Sequence, residues 1–128
     1  MPDDRESAAV VRTLEGGGVS DLARFEGFIP NKELKLYLAA CDVLVLPSLM
    51  EATSISCLEA MAAGRAVVGT RIGGIAELVI EGETGMLVEP QDSEELAQQL
   101  LQAQSRRDLD SLGKNGYLRV IEKFTWRR

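Results

Sequence analysis

Val43-Leu44-Val45-Leu46-Pro47-Ser48-Leu49-Met50-Glu51-Ala52-Thr53-Ser54-Ile55-Ser56-Cys57-Leu58-Glu59-Ala60 is the stretch whose reading decides the fold of this 128-residue chain. Its first four residues are a continuous apolar run stopped by proline, the pattern of a strand buried on both faces, as in a parallel sheet. From Ser54 to Ala63 the chain is apolar nearly all round and ends at Gly64, which predicts an interior helix. Strand, turn and helix in succession put the turn at the carboxyl end of a strand, where open α/β sheets bind ligands.

The same alternation continues outward. Upstream, Leu34, Tyr37, Leu38 and Cys41 recur at helical spacing, predicting a helix over Asn31–Ala40. Gly27-Phe28-Ile29-Pro30 reads as a turn, Ala23–Phe25 as a short strand, and Asp4 to Leu14 as a first helix closed by Gly16-Gly17-Gly18. Downstream, Ala66–Thr70 is a strand and Gly73-Gly74 opens a short helix through Val79. Glu81–Gly85 turns into a last strand, Met86–Val88. Asp92 and Glu95 fit a capping box for the helix carrying Leu96, Leu100 and Leu101, and a final helix runs from about Arg107 to Lys123, weakened by Gly113 and Gly116. Strands separated by single helices imply a Rossmann-like, doubly wound parallel sheet of the α/β class.

Composition bounds the function. The length suits one domain and is short for a two-domain enzyme. No apolar run reaches the roughly 18–20 residues a membrane span needs. The acidic N-terminus lacks the features of a secretory signal, so the cytoplasm is the expected compartment. The net charge of −6 argues against a nucleic-acid partner. Residues 1–104 carry a net −10 and residues 105–128 a net +4. That basic stretch is either a solvated helix face or a surface for peripheral contact with anionic lipid or another domain. Cys41 and Cys57 sit in apolar contexts and read as small buried hydrophobes. The absence of histidine removes His-activated nucleophiles and most zinc designs.

Chemistry concentrates around the quoted turn. Glu51 and Glu59, eight residues apart, flank it, and the amides of Thr53, Ser54 and Ile55 would be free donors at a helix N-terminus, a natural anion site. One cleft would then hold amides for phosphate and carboxylates for hydroxyl groups. Two blander readings compete. Ser56-x-x-Glu59 also matches a capping box, and Glu51 is an acidic residue placed favourably before a helix. Gly73 and Gly74 suit a close backbone approach or positive φ, Glu77 reads as a cap or turn contact, and Arg65 and Arg71 as exposed loop residues rather than phosphate ligands.

Pro47-Ser48-x-x-Glu51 followed by Glu59-Ala60-Met61-Ala62-Ala63-Gly64 resembles the E-x7-E motif of glycosyltransferase family 4. The resemblance extends to Phe25-x-Gly27-Phe28-Ile29, Cys41-Asp42-Val43, Val67-Val68-Gly69-Thr70, Gly73-Gly74-Ile75-Ala76-Glu77, Gly82-x-Thr84-Gly85-x-Leu87-Val88 and Phe124-Thr125-Trp126, covering roughly residues 22–126 in order. It implies the C-terminal, donor-binding domain of a GT-B fold, with residues 1–128 a partial nucleotide-sugar-binding domain and the N-terminal acceptor domain missing. On this resemblance Glu51 contacts hydroxyls of the donor sugar near the reacting carbon, and Glu59 the ribose hydroxyls. The backbone around Thr53, Ser54 and Ile55 would contact the diphosphate, and Gly27, Phe28 and Ile29 would flank the base. The reaction implied is retaining hexosyl transfer from a nucleoside-diphosphate sugar to a glycan, lipid or small-molecule acceptor, without a cofactor or tightly bound metal. A nucleotide-sugar 2-epimerase of the same fold and a non-catalytic flavodoxin-like interaction domain are the rivals. Many members have Phe-Gly-Leu where this chain has Thr53-Ser54-Ile55, so a Ser54 side chain is expected to crowd the diphosphate or to donate to it. The family's Gly-rich first strand and its diphosphate-gripping Arg and Lys are expected before residue 1, and a helix crossing back to the other domain after Arg128. The fragment alone is expected to be inactive.

Overall fold

The computed structural model describes residues 5–125, so Asp4 and Trp126 of the motifs above lie outside the described residues. The chain divides into two compact units, Met1–Leu34 and Lys35–Arg128.

In the first unit, α1 spans Arg5–Gly16, two residues past Leu14, and a 3-10 turn follows at Ser20–Leu22. The strand expected at Ala23–Phe25 does not form. Ala23 is extended (φ −106, ψ 138), yet these residues join no ladder among the described strands. A three-residue segment gains strand structure only from a neighbour that satisfies its amides and carbonyls, and no described strand takes that place. Pro30 accepts from the amides of Glu33 and Leu34 as α2 (Asn31–Ala40) begins, over the bounds its periodicity predicts.

The second unit is built on three parallel strands, β1 (Val43–Leu46), β2 (Ala66–Thr70) and β3 (Gly85–Val88), in the order β1-β2-β3. Val43 aligns with Ala66 and Leu46 with Gly69; Val67 aligns with Gly85 and Thr70 with Val88. α3 (Ile55–Ala62) connects β1 to β2, α4 (Gly73–Leu78) connects β2 to β3, and α5 (Ser93–Ser105) and α6 (Leu109–Lys123) follow. Ala66, Val68, Met86 and Val88 point to one face and pack with Ala103 of α5 and Leu112 of α6. On the other face a Cβ built on Gly69 would come within 2.6 Å of Ile75 in α4. Helices therefore cover both faces, as the α/β reading requires.

The expected burial of β1 on both faces is corrected. All four of its residues are half-buried, while β2 and β3 are buried throughout. β1 pairs only with β2 among the described strands, so its apolar run is not matched by equal enclosure. The capping box at Asp92 is half made. Asp92 Oδ1 accepts from the Glu95 amide at 2.9 Å, but Glu95 Oε2 accepts from Glu89 N, at 2.8 Å, tying the helix start to the end of β3.

α6 starts two residues later than expected, after Arg106 donates two 2.7 Å bonds to the Asp108 carboxylate. Its glycines are a contact face rather than a weakness. Gly113 and Gly116 are both buried, and a Cβ on Gly113 would overlap the Gly64 carbonyl oxygen. At Gly116 the nearest atom to such a Cβ belongs to Met61, at 3.5 Å, an ordinary contact. The two substitutions should therefore differ in their effect on stability. Gly113→Ala should cost about 1–3 kcal/mol by overpacking, and Gly116→Ala should be neutral or gain up to about 1 kcal/mol from helix propensity. Urea unfolding of both variants checks this; equal effects would contradict the packing described.

Candidate functional site

The carboxyl ends of β1 and β2 are tied together before the loop carrying Glu51 begins. Thr70, nearly fully buried at the end of β2, donates its hydroxyl to the Ser48 carbonyl at 2.6 Å. Further along, the Gly74 amide donates to the Glu51 carbonyl at 2.9 Å. The approach leaves no room for side chains. Gly73 has φ +39 and a Cβ there would overlap the Glu51 carbonyl oxygen, while one on Gly74 would come within 2.6 Å of the Ala52 carbonyl oxygen. The glycine pair read from sequence as a close approach is thus the seat on which the Glu51 loop rests.

The start of α3 settles the capping question. Ser54 is the N-cap, and its Oγ accepts from the Cys57 amide at 3.2 Å. With the helix beginning at Ile55, the Ser56–Glu59 capping box does not form. Ser54 is completely buried, so its side chain serves the cap rather than projecting toward a ligand, which corrects the expected crowding or donation by its hydroxyl. None of the amides of Thr53, Ser54, Ile55 and Ser56 donates to a backbone carbonyl among the described residues. The amides of Thr53, Ile55 and Ser56, on exposed residues at the positive end of the helix dipole, are available to an anion, whereas Ser54 is buried entire.

Three carboxylates are half-buried among the described residues: Glu51, Glu59 and Glu95. Glu95 accepts the Glu89 amide. Glu51 and Glu59 accept no side-chain hydrogen bond and form no ion pair among the described residues. Partly buried carboxylates are normally satisfied, because removing them from water without a partner costs free energy. Glu59 shares the outer stripe of α3 with Ile55, one turn earlier and 65% exposed, while Cys57, Ala60 and Met61 form the buried face.

The expected burial holds for Cys57 but not for Cys41, which is half-buried. Cys57 is fully buried, with its Sγ 3.7 Å from Met61 Sδ, and Cys41 donates its thiol to the Leu38 carbonyl at 3.3 Å. Burial, with the Glu51 charge adding to it, pushes the Cys57 thiol up from 9.0 to about 11.

Other expected residues fall as follows. Gly27, with φ +64, the 91% exposed Phe28 and the half-buried Ile29 belong to the first unit, whereas Glu51, Thr53, Ser54, Ile55 and Glu59 belong to the second. Arg65 is half-buried, not exposed, and donates to the Ala39 carbonyl at 2.6 Å. Arg71 is exposed and bridges Glu81 at 2.9 Å and Glu89 at 3.1 Å, which holds its guanidinium above its ordinary value through those hydrogen bonds. That double pairing was not foreseen, since its partners lie 10 and 18 residues away. The Glu77 carbonyl accepts from Arg119, which also stacks 5.5 Å from the Phe124 ring centroid.

A cavity of about 290 Å³ opens at the strand ends, lined by Pro47, Leu49, Thr70, Val88, Gln91 and Leu96 among others. Glu51 and Glu59 do not line it. The single cleft expected to hold both carboxylates and the amides is therefore not this cavity. Pro47 and Leu49 face it, while the two acids lie further along the loop and on the flank of α3.

Comparison with known proteins places these features in a family. The family described as Glycosyl transferases group 1 matches residues 2–106. The MMP alpha-(1->4)-mannosyltransferase of Mycolicibacterium hassiacum is 39% identical over 111 residues, 85% of this chain and 27% of that protein. The C-terminal domain of a glycosyl transferase group 1 family protein from Francisella tularensis superimposes with a TM-score of 0.87 at 30% identity, over 99% of this chain and 67% of that one. The Anabaena protein HepE, solved in complex with UDP-glucose, superimposes with a TM-score of 0.86 at 26% identity, over 92% of this chain and 32% of that one. The chain spans about a quarter of the length of the curated relatives it matches.

Two outcomes test the local account. Replacing Ser54 with Ala should cost about 0.5–2 kcal/mol, the usual value of a lost N-cap, and urea unfolding without a loss would contradict the cap. The raised thiol also links stability to pH. A group whose pKa is higher folded than unfolded stabilises fully below its unfolded value, and that contribution is lost as pH rises through the folded one. Stability should thus fall between about pH 9 and 11, and Cys57→Val should flatten that part of the profile.

Proposed function

The chain belongs to the glycosyl transferases group 1 family and has the fold of a GT-B C-terminal domain, and on that premise we propose that it binds the nucleoside-diphosphate sugar of a retaining hexosyltransferase. The observation that carries the reading is the pair of half-buried carboxylates, Glu51 and Glu59, without partners among the described residues, on either side of the exposed Thr53, Ile55 and Ser56 amides. Sugar and ribose hydroxyls are donors that such carboxylates accept, and a diphosphate is the anion that such amides hold. HepE, of the same fold, is solved with UDP-glucose, which supports a donor of this class.

In this reading Glu59 takes the ribose hydroxyls, Glu51 hydroxyls of the sugar near the reacting carbon, and the amides of Thr53 and Ile55 the diphosphate, stabilising charge as the leaving group departs, while the buried Ser54 caps the helix that presents them. The acceptor is held by a separate domain of the full protein, and the cations that neutralise the diphosphate come from outside this stretch. Their contribution would be charge-assisted hydrogen bonds worth roughly 1.5–3 kcal/mol each, so this chain binds donor weakly and does not turn over alone. A purely structural role for the two side chains is disfavoured because neither carboxylate makes a hydrogen bond or ion pair among the described residues.

Calorimetric titration with UDP and GDP tests the ribose contact. Glu59→Ala should weaken the nucleotide that binds by roughly tenfold or more, the value of a lost hydrogen bond to a charged group. Equal affinity in the variant and the wild type would remove Glu59 from the site.

A further inference from the structure

The cavity at the strand ends has no part in the donor reading, whose two carboxylates do not line it. Three segments build it: the loop after β1, the end of β2, and the run from β3 into α5. Val88 and Thr70, both nearly fully buried, lie at its deep end, while Pro47, Leu49 and Leu96 give it apolar sides nearer the solvent. Its volume of about 290 Å³ falls at the lower end of ligand sites, which run from roughly 300 to 1,000 Å³. It has room for a small apolar group.

Hydrogen bonds fix each wall. Thr70 Oγ1, donating to the Ser48 carbonyl at 2.6 Å, holds the stretch with Pro47 and Leu49 against β2. The Arg71 amide donates to the Val88 carbonyl at 2.8 Å, and the Arg71 side chain holds Glu89 at 3.1 Å. Glu95 accepts from the Glu89 amide while its own amide donates to Asp92, which locks the entry into α5. At the lip, Gln91 has φ +59, the one non-glycine residue in the left-handed region among the described residues. A hollow braced in this way stays open, so a ligand that enters gains apolar contact without first ordering the walls.

The mouth is polar. Glu89, Gln91, Asp92 and Ser93 line it, all exposed. The Gln91 and Ser93 side chains make no hydrogen bond among the described residues, and Glu89 and Asp92 each engage one oxygen, with Arg71 and with the Glu95 amide. Their other oxygens can accept from hydroxyl groups, whereas an anionic head would face two carboxylates. We propose that this cavity is a second binding site, for a small molecule joining an apolar group to an uncharged, hydroxyl-bearing head. The apolar group sits against Val88, Leu49 and Leu96, and the hydroxyls meet the lip from Glu89 to Ser93.

Amide-resolved NMR of the full chain titrated with hexyl glucoside, below micelle formation, tests the site. The largest shifts should fall on Leu49, Thr70, Gln91–Ser93 and Leu96. Shortening the tail by two carbons should weaken binding by about tenfold, the effect of two buried methylenes. Glucose alone should not bind at matched concentrations, and hexyl sulfate should bind roughly fivefold or more weakly than the glucoside. Leu49→Ala, at an exposed position on the cavity wall, should weaken the glucoside by about fivefold or more. Leu118→Ala, equally exposed but on α6, should leave its binding unchanged. Absence of binding, affinity independent of tail length, equal binding of the sulfate, or equal losses in the two variants overturns the inference. Shifts on Thr53–Ser56 in place of the cavity walls also overturn it, by placing the glucoside at the other site. The donor reading is untouched by these outcomes, because it is decided by the nucleotide titration.

Discussion

One backbone hydrogen bond, from the Gly74 amide to the Glu51 carbonyl at 2.9 Å, sets the position of everything chemical in this unit. It forms because two successive glycines let the turn after β2 press directly onto the loop after β1, at a distance where any Cβ would collide. Neighbouring bonds reinforce it: Thr70 holds Ser48, the Arg71 amide donates to Val88, and Ser54 caps α3. The outcome is a loop whose conformation is set by main-chain contacts before a ligand arrives. Prepositioned donors and acceptors of this kind bind and catalyse without being reorganised first.

The treatment of charge around the sheet separates scaffold from site. Asp92 caps α5, Glu95 ties that helix to the end of β3, Asp108 engages Arg106, and Glu81 and Glu89 share Arg71. Against this background Glu51 and Glu59 stand apart, half-buried and with carboxylates that bond to nothing described. Partial burial without compensation carries a free-energy cost, and a ligand rich in hydroxyl donors would relieve it.

Much of this was legible in the sequence where local chemistry decides the outcome. The helix at Asn31–Ala40 follows from its apolar spacing, the β1–α3 turn from Pro47 and the apolar run before it, and the α5 cap from Asp92. What failed depended on partners. Ala23–Phe25 has strand character but no described strand beside it, and β1 has the composition of a central strand but a single described neighbour. Gly113 and Gly116 looked like flaws in a helix because Gly64 and Met61, which press against them, are remote in sequence. At the site, spacing picked out both acids, but it could not tell a cap at Ser54 from one at Ser56, and it could not foresee that the cavity at the strand ends would exclude both acids.

The central claim, that an anion is received by the free amides of the β1–α3 turn between two waiting carboxylates, is tested most directly by amide-resolved NMR during a donor titration. The account predicts that the largest shifts fall on Thr53–Ser56, with smaller ones on Gly73 and Gly74 beneath them. Shifts confined to Gln91–Ser93 and the walls of the neighbouring cavity, with the α3 amides unmoved, would contradict it.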